Sequence, residues 1–357
     1  MSADQIVEVG GKTLKLTNLE KILYPAAGFT KGQVIDYYAR IAPVLVPHLK
    51  DKPLTLKRYP SGVDQPFFFE KNATKHRPDW VKTAPVWSEG NQRDVNYILA
   101  NNIETLIWTA NLAGIELHPS LSEAGDIACP RMMVFDLDPG PPANIVQCCQ
   151  VGIWLRAIFE HFKLQSFPKT SGSKGLQIYV PLNTKTSYDE TKRFAHALAR
   201  LLENEHRDLV VSDMKKALRT SKVLVDWSQN DEHKTTISVY SLRARERPTV
   251  STPVSWEEVE NALKKKDAGL LVFESHQTLK RIEKLGDLFA PLLSLKQKLP
   301  KLSGLGAAEP ASAPEGFEMA AQARGRSRTP SGKSAAPAAG KRKPSRPSSA
   351  RKPRRKL

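Results

Sequence analysis

The stretch Arg131-Met-Met-Val-Phe-Asp-Leu-Asp-Pro-Gly140 joins an apolar run to two acids and then stops at a Pro-Gly turn. Because side chains alternate between the faces of a strand, Asp136 and Asp138 would point the same way, about 7 Å apart. Two carboxylates on one face favour binding of a divalent cation. A solvated strand end without a metal is the alternative interpretation, and this segment alone leaves both open.

A second apolar run, Lys222-Val-Leu-Val-Asp-Trp-Ser-Gln229, also ends in an acid, Asp226. Between the two runs lies the small-residue loop Thr170-Ser-Gly-Ser-Lys-Gly175, where backbone N–H groups, the Ser171 hydroxyl and the Lys174 ammonium could contact phosphates. The loop lacks the spacing of a Walker motif. Two acidic strand ends with a Ser/Lys loop between them are typical of two-metal nucleotidyl transfer.

The chain of 357 residues carries a formal net charge of +17, and its C-terminal part is the most basic. Residues 303–357 hold 13 lysine or arginine residues against 3 glutamates. This charge favours nucleic acid as a partner, because phosphate contacts release counterions, although ribosome binding or plain solubility would also tolerate it. The Ala-, Pro- and Ser-rich composition from residue 301 onward predicts a disordered basic tail over 301–357.

Three features bear on location. No run of about 18 apolar residues predicts a membrane span, and the N-terminus lacks the pattern of a secretory signal. The chain has three cysteines, two of them adjacent, which suits neither a disulfide framework nor a CxxC zinc site. We therefore expect a soluble cytoplasmic protein with reduced thiols and no membrane partner.

Polar residues cluster around the start of a helix predicted over residues 31–46, with Thr30 as its N-cap. Asn18, Lys21 and Lys31 lie near this start, where free backbone N–H groups and lysines together could hold a phosphate. Simple solvation of an exposed turn is the alternative.

The segment Gln65-Pro-Phe-Phe-Phe-Glu-Lys71 contains three consecutive phenylalanines. They cannot all face one core if the segment is extended. An exposed ring beside Lys57 and Arg58 would offer a platform for stacking bases, whereas alternate burial in a two-sided core would be purely structural.

Apolar periodicity predicts further elements along the chain. We expect helices over residues 103–117, 143–162, 187–205, 255–266 and 277–287, and strands over 53–59 and 235–240. Arg243 follows the last of these strands and could bind a phosphate. A lone histidine such as His118, at the end of the first helix, would by default be structural.

Four motifs taken in order closely resemble the polymerase domain of bacterial ATP-dependent DNA ligase D, a member of the archaeo-eukaryotic primase superfamily. They are Phe135-Asp-Leu-Asp-Pro139, Ser171-Gly-Ser-Lys-Gly-Leu176, Val225-Asp-Trp-Ser-Gln229 and Tyr240-Ser-Leu-Arg243. The likeness runs from about Val7 to about Ala290.

The resemblance implies an α/β (α+β) fold, with an RRM-like antiparallel sheet flanked by helices. It implies a primase-polymerase catalytic domain over residues 1–300, whose N-terminal phosphate-binding part covers about 1–50. The implied function is template-directed nucleotidyl transfer that fills gaps and extends ends during repair of double-strand breaks by non-homologous end joining, with ribonucleotides preferred. Two Mn²⁺ or Mg²⁺ ions and an NTP or dNTP would be required.

The resemblance also implies roles for individual residues. Asp136, Asp138 and Asp226 match the metal-binding catalytic triad. The matched nucleotide contacts are His118, Ser171, Lys174, Gln177 and Arg243. The matched DNA contacts are Asn18, Lys21 and Lys31 for a 5′-phosphate, and Phe68 and Phe69 for the template. These matches favour the functional interpretation of each residue over the structural one.

Two departures from the family pattern stand out. The family usually has histidine at the position of Gln177, so the triphosphate contact there would come from an uncharged amide. Neither a ligase nor a phosphoesterase domain is evident, so we expect a stand-alone polymerase near the nucleoid that acts on gapped or broken DNA with Ku and a separate ATP-dependent DNA ligase.

Two other functions compete with gap filling. A primase that starts chains de novo is disfavoured because the zinc-binding accessory motifs of many primases are missing. A non-catalytic module that bridges DNA ends is disfavoured by the acidic triad, since three carboxylates near DNA repel it unless metal is bound.

Overall fold

The structure is a computed structural model of the chain, and it describes residues 4–300. The predicted disordered tail at residues 301–357 lies outside the described residues and stays a prediction. None of the helices in the described part combines the length and apolar character needed to cross a bilayer.

The described part of the chain contains fourteen β-strands and six α-helices. Its strands are β1 (Gln5–Val9), β2 (Lys12–Leu16), β3 (Ile22–Tyr24), β4 (Phe29–Thr30), β5 (Leu54–Arg58), β6 (Phe68–Glu70), β7 (Thr83–Ser88), β8 (Arg93–Ile98), β9 (Gly114–Pro119), β10 (Met132–Pro139), β11 (Phe167–Thr170), β12 (Leu176–Pro181), β13 (Val210–Val211) and β14 (Val223–Asp226). Its α-helices are α1 (Lys31–Leu49), α2 (Ile103–Asn111), α3 (Ile145–His161), α4 (Tyr188–Glu205), α5 (Trp256–Lys265) and α6 (Ser275–Leu285).

The strand with the two acids, β10, is the centre of a five-stranded sheet in the order β11-β12-β10-β14-β13. All neighbouring pairs are antiparallel except β13 with β14. Phe135 and Leu137 face one hydrophobic core with residues of α3 and α4, while Val134 belongs to a second core with residues of α1 and α2. Both faces of β10 are buried, which explains why its sequence is a continuous apolar run rather than an alternating one. Only Asp136 and Asp138 interrupt this run.

A second sheet has the order β6-β5-β8-β7, with β9 also paired along β5. Helix α1 lies against α2 beside this sheet and begins as predicted at Lys31. Its N-terminus is closed by a capping box, in which the Thr30 hydroxyl accepts from the Gln33 N–H and the Gln33 side chain accepts from the Thr30 N–H. The helix ends at Leu49, three residues beyond the predicted end.

The helix predicted over residues 103–117 is wrong in its second half. Helix α2 ends at Asn111, Ala113 has a positive φ of 58°, and the chain then enters β9. Gly114 permits this reversal, since a Cβ there would lie 2.8 Å from the Thr109 carbonyl oxygen. Apolar density alone could not separate the two elements, because both are buried.

The strand predicted over residues 235–240 is also wrong. Only isolated bonds join this segment to β9: Thr236 N donates to Pro119 O and Ser238 N donates to Leu117 O. Tyr240 then takes a positive φ of 62°, which ends any extended conformation. The other predicted helices are confirmed with their ends within about two residues.

Candidate active site

A cleft of about 280 Å³ opens at the acidic end of β10. Seven of the eight residues predicted for catalysis or nucleotide binding line it: His118, Asp136, Asp138, Ser171, Lys174, Gln177 and Arg243. The cleft is also lined by Ser173, Gln229, Thr235, Thr236, Ile237 and Arg245. The fold thus brings side chains from β9, β10, β12 and three loops to one place.

Asp136 and Asp138 are partly exposed on the same face of β10, as strand alternation predicts. Burial and the nearby charges of Asp138 and Asp226 raise the pKa of Asp136 above its usual range, and the opposing effects of Gln177 and Lys169 only partly offset this. Burial first, and the two neighbouring acids second, therefore disfavour the charged form of Asp136.

Asp226 is placed opposite Asp136 by the pairing of β14 with β10. Its carboxylate oxygens accept hydrogen bonds from its own turn: Ser228 N at 2.9 Å and Ser228 Oγ at 2.6 Å on one oxygen, and Gln229 Nε2 at 3.1 Å on the other. It is the one predicted catalytic residue that does not line the cleft. Accordingly, residues 4–300 contain no cluster of three acidic, histidine or cysteine side chains already arranged around a metal position.

The donor chemistry at the cleft nevertheless fits a hard divalent cation. Asp136 and Asp138 present carboxylate oxygens, which are the ligands that Mg²⁺ and Mn²⁺ prefer. Burial raises the pKa of Asp136, and repulsion from Asp138 and Asp226 adds to it; a bound cation would offset this repulsion.

The loop of residues 170–175, called the Ser171 loop, lies beside these acids and is stabilised by hydrogen bonds within the loop. Ser171 Oγ accepts from the N–H groups of Ser173 at 3.3 Å and Gly175 at 3.1 Å, which leaves its hydroxyl hydrogen to donate. Gly175 lets the loop pass against β10, because a Cβ there would lie 2.3 Å from Leu137 O. Lys174 Nζ donates to Pro139 O at 3.2 Å, which brings its charge to the end of β10.

Glu116 organises the opposite wall of the cleft. Its carboxylate accepts from His118 Nε2 at 3.0 Å, Arg243 Nε at 3.2 Å and Ala244 N at 3.0 Å, and Lys57 Nζ lies 3.9 Å away. Burial alone would raise the pKa of Glu116, but the hydrogen bond from His118 and the charges of Arg243, His118 and Lys57 hold it far below its usual range. Burial also lowers the pKa of His118, against the opposing effect of Glu116.

Arg243 links this wall to the Ser171 loop, since its Nη1 donates to Ser171 O at 2.7 Å. The sequence analysis missed Glu116 as a functional residue. The signal was the spacing Glu116-Leu-His118, which puts both side chains on one face of a strand, but the segment was assigned to a helix.

Gln177 is buried and lies opposite Asp136 in the sheet. Its Oε1 accepts from Lys169 Nζ at 2.5 Å. Lys169 was also missed by the sequence analysis, and burial lowers its pKa well below the usual range.

The three residues predicted to bind a 5′-phosphate lie together away from this cleft. Asn18 and Lys21 are exposed in a turn where Lys21 N donates to Asn18 O at 3.0 Å, and Asn18 has a positive φ of 53°. Lys31 is buried, and its Nζ donates to Thr17 O at 2.6 Å. Burial, together with the charge of Lys21, lowers the pKa of Lys31 to about 8.

The prediction that at least one ring of the phenylalanine run is exposed is confirmed, and alternate burial is wrong. Phe67, Phe68 and Phe69 are 47%, 46% and 56% exposed. Lys57 Nζ lies 4.0 Å from the centre of the Phe67 ring, and the Arg58 guanidinium lies 5.0 Å from that of Phe68. The Phe69 ring centre is 6.3 Å from that of His118, so this aromatic surface reaches the cleft.

A family model described as the primase-polymerase domain of LigD matches residues 30–289. The multifunctional non-homologous end joining protein LigD of Mycolicibacterium smegmatis is 41% identical over 281 residues, which are 78% of this chain and 36% of that protein. The bifunctional non-homologous end joining protein LigD of Bacillus subtilis is 32% identical over 251 residues, 70% of this chain and 40% of that protein. The chain therefore spans well under half the length of these relatives.

Among solved structures, the polymerase domain from Mycobacterium tuberculosis ligase D in complex with DNA is similar, with a TM-score of 0.73 and 37% identity. The match covers 80% of this chain and 99% of that domain. It confirms the predicted α/β fold class. Taken with the family model, it confirms the resemblance drawn from the motifs: the chain belongs to the LigD primase-polymerase domain family.

Proposed function

We propose that this chain is a template-directed nucleotidyltransferase that fills gaps and extends ends during non-homologous end joining. The observation that carries the proposal is the cleft, where a mutually repelling acid pair, Asp136 and Asp138, faces the Ser171 loop and Arg243. Such a site combines a place for cations with donors for phosphates. Family membership makes nucleotidyl transfer the expected chemistry.

The Ser171 loop, together with Arg243, which bonds to both the loop and Glu116, would hold the triphosphate. Ser171 would donate its hydroxyl hydrogen, Lys174 would supply a positive charge, and Arg243 would turn its remaining N–H groups toward the phosphate oxygens. His118, whose Nε2 is held by Glu116, would donate to the triphosphate from its other ring nitrogen when the ring is protonated. By the family pattern Gln177 would add an uncharged donor.

The acids would hold the metals. Asp136 and Asp138 would bind the ion next to the triphosphate, and Asp226 would join Asp136 around the second by exchanging the hydrogen bonds it now accepts from Ser228 and Gln229. Two divalent cations, Mn²⁺ or Mg²⁺, would lower the pKa of the primer 3′-hydroxyl and neutralise the triphosphate, which favours in-line attack and release of pyrophosphate.

DNA would lie along the aromatic surface and the lysine cluster. Phe68 and Phe69 offer exposed faces for stacking template bases, and Lys21 with Lys31 would receive the 5′-phosphate across a gap. The solved mycobacterial relative is a complex with DNA, which supports DNA as the partner. A preference for ribonucleotides, cooperation with Ku and an ATP-dependent DNA ligase, and action at the nucleoid of a bacterial cytoplasm are part of the same proposal.

Primer extension on a gapped duplex tests the proposal. The assay compares gaps with and without a 5′-phosphate, rNTP with dNTP, and Mn²⁺ with Mg²⁺, and Asp138→Asn serves as the inactive control. We expect template-directed extension that is faster when the 5′-phosphate is present. Synthesis without a primer would instead support a primase, and tight binding of ends without any extension would support a bridging module.

A further inference from the structure

Four polar side chains stand opposite one another across four adjacent strands of the catalytic sheet. Lys169 on β11 pairs with Gln177 on β12, Gln177 pairs with Asp136 on β10, and Asp136 pairs with Asp226 on β14. Residues directly opposite on antiparallel strands point to the same face, with Cβ atoms about 5 Å apart. We call these four residues the cross-strand row. In this row a single side chain, Gln177, separates the buried Lys169 from Asp136.

The lysine end of the row is fixed in place. Lys169 is only 1% exposed, and its Nζ donates to Gln177 Oε1 at 2.5 Å and to Ser251 Oγ at 2.6 Å. Ser251 Oγ in turn donates to Thr170 O at 2.9 Å. A lysine nitrogen can donate to both acceptors whether it is charged or neutral, so the amide oxygen of Gln177 is held toward β11.

This contact determines what the rest of the Gln177 side chain does. Gln177 stands between Lys169 on β11 and Asp136 on β10, so an amide whose Oε1 is bound to Lys169 would present its NH₂ group to the Asp136 side. An N–H donor next to a carboxylate binds one of its oxygens and restricts its rotation. Asp136 stands directly opposite Gln177, and the amide accordingly acts to lower the pKa of that acid, against burial and the neighbouring acids, which raise it.

We propose that Gln177 is a positioning residue that orients the carboxylate of the metal ligand Asp136. In this proposal Lys169 holds the Gln177 amide in the orientation that this role requires. This inference rests on the proposed function, in which Asp136 binds a divalent cation. By the family pattern alone, position 177 would contact the triphosphate. In the cross-strand row its amide instead orients a carboxylate, with a lysine behind it as the anchor.

Manganese binding to the full chain, measured by the electron paramagnetic resonance signal of free Mn²⁺ without DNA or nucleotide, tests the inference. We expect Gln177→Leu and Lys169→Met each to weaken binding by about 10- to 100-fold, as loss of the residues that orient metal ligands commonly does. Because both act through one amide, the double variant should bind no more weakly than Gln177→Leu alone.

The matched control is Lys52→Met. Lys52 is another buried lysine, 7% exposed, which lines the same small internal cavity as Lys169 but lies outside the row. Its replacement should leave Mn²⁺ affinity within about twofold of the wild type. A lysine that acted only through its charge would give the opposite sign, since removing a positive charge near the site would tighten cation binding.

The outcomes separate the inference from the proposed function. If wild-type protein binds no Mn²⁺, the proposed function fails and this inference fails with it. If wild-type protein binds Mn²⁺ and Asp136→Asn does not, the site is established, and wild-type affinity in Gln177→Leu then overturns the inference. Tighter binding in Lys169→Met, or additive losses in the double variant, also overturns it. Thermal unfolding checks each variant, and Gln177→Leu carries the test by itself should Lys169→Met not fold.

Discussion

Two acidic centres border the same cleft, and their surroundings are opposite. Glu116 accepts from His118 and Arg243 and lies near Lys57, so the protein itself neutralises it and its pKa is far below the usual range. Burial and two acidic neighbours, Asp138 and Asp226, raise the pKa of Asp136. Asp136 lines the cleft, and Glu116 is buried behind two of its lining residues, His118 and Arg243. One carboxylate is compensated within the fold and the other is not.

This difference distinguishes an acid that stabilises the site from an acid that can bind a cation. An acid that is already paired with cationic side chains serves to hold them in place. Glu116 in this way holds His118 and Arg243, which are proposed to contact the nucleotide. An acid without them favours a cation from solution. The same reasoning with the signs reversed applies to Lys31, whose pKa is lowered to about 8 by burial and by Lys21, and which therefore favours an anion.

The largest effect should follow replacement of the uncompensated acid. Asp136→Asn should slow nucleotide addition by about a thousandfold, since metal binding contributes several kcal/mol to the transition state and each 1.4 kcal/mol is tenfold. Its thermal stability should stay the same or rise, because repulsion with Asp138 and Asp226 is removed. Single-nucleotide extension and thermal unfolding measure the two effects. Extension above a tenth of the wild-type rate would contradict the assignment.

Replacement of the compensated acid should give the reverse pattern. Glu116→Gln keeps the shape but leaves buried positive groups without their counter-charge, so it should lower the free energy of unfolding by about 3 kcal/mol. Nucleotide binding should weaken as Arg243 and His118 lose their anchor. Urea unfolding and nucleotide titration measure both. A variant as stable as the wild type would show that Glu116 is not the organising residue of this wall.

The lysine cluster should show a smaller and selective effect. Lys21→Ala with Lys31→Met should reduce the preference for gaps bearing a 5′-phosphate by about tenfold, because a charge-assisted contact contributes roughly 1.5–3 kcal/mol. Lys15→Ala is the control, since Lys15 is already paired with Asp4 at 2.9 Å. Equal losses on phosphorylated and unphosphorylated gaps would reduce the cluster to part of a general basic surface.

The smallest effect is a pH dependence of that preference. Only the ammonium form of Lys31 attracts phosphate, and with its pKa at about 8 the charged fraction falls as pH rises through that value. Between pH 7 and pH 8.5 the preference for a 5′-phosphate should fall roughly fourfold. Binding measured across this range should lose the trend in Lys31→Met. A wild-type preference that does not change with pH would place the phosphate elsewhere.

Much of this site could be predicted from local sequence. Asp136 and Asp138 follow from strand alternation alone, and the start of α1 follows from Thr30 with Gln33 three residues later. The wrong prediction of a helix over residues 103–117 also arose from local sequence. The segment is rich in apolar residues along its whole length, and only the turn at Ala113 and Gly114 separates a helix from a strand.

The contacts between strands could not be predicted in this way. Lys169 stands in Phe167-Pro-Lys-Thr170, where no periodicity marks it, and its partner Gln177 is known only once β11 and β12 are paired. The family resemblance indicates a role for position 177 but none for Lys169, which is bonded to it. Strand pairing is a property of the folded sheet, which joins residues that are far apart in the chain.

The buried lysine also has a consequence for folding. A shift of β11 by one residue against β12 would place Leu176 or Ile178 opposite Lys169 and turn its amine away from the Gln177 oxygen. An amine enclosed by hydrocarbon without an acceptor would cost several kcal/mol. Strands of mostly apolar residues would otherwise tolerate such a shift. Lys169 therefore favours the one alignment of the sheet in which Gln177 and Asp136 meet.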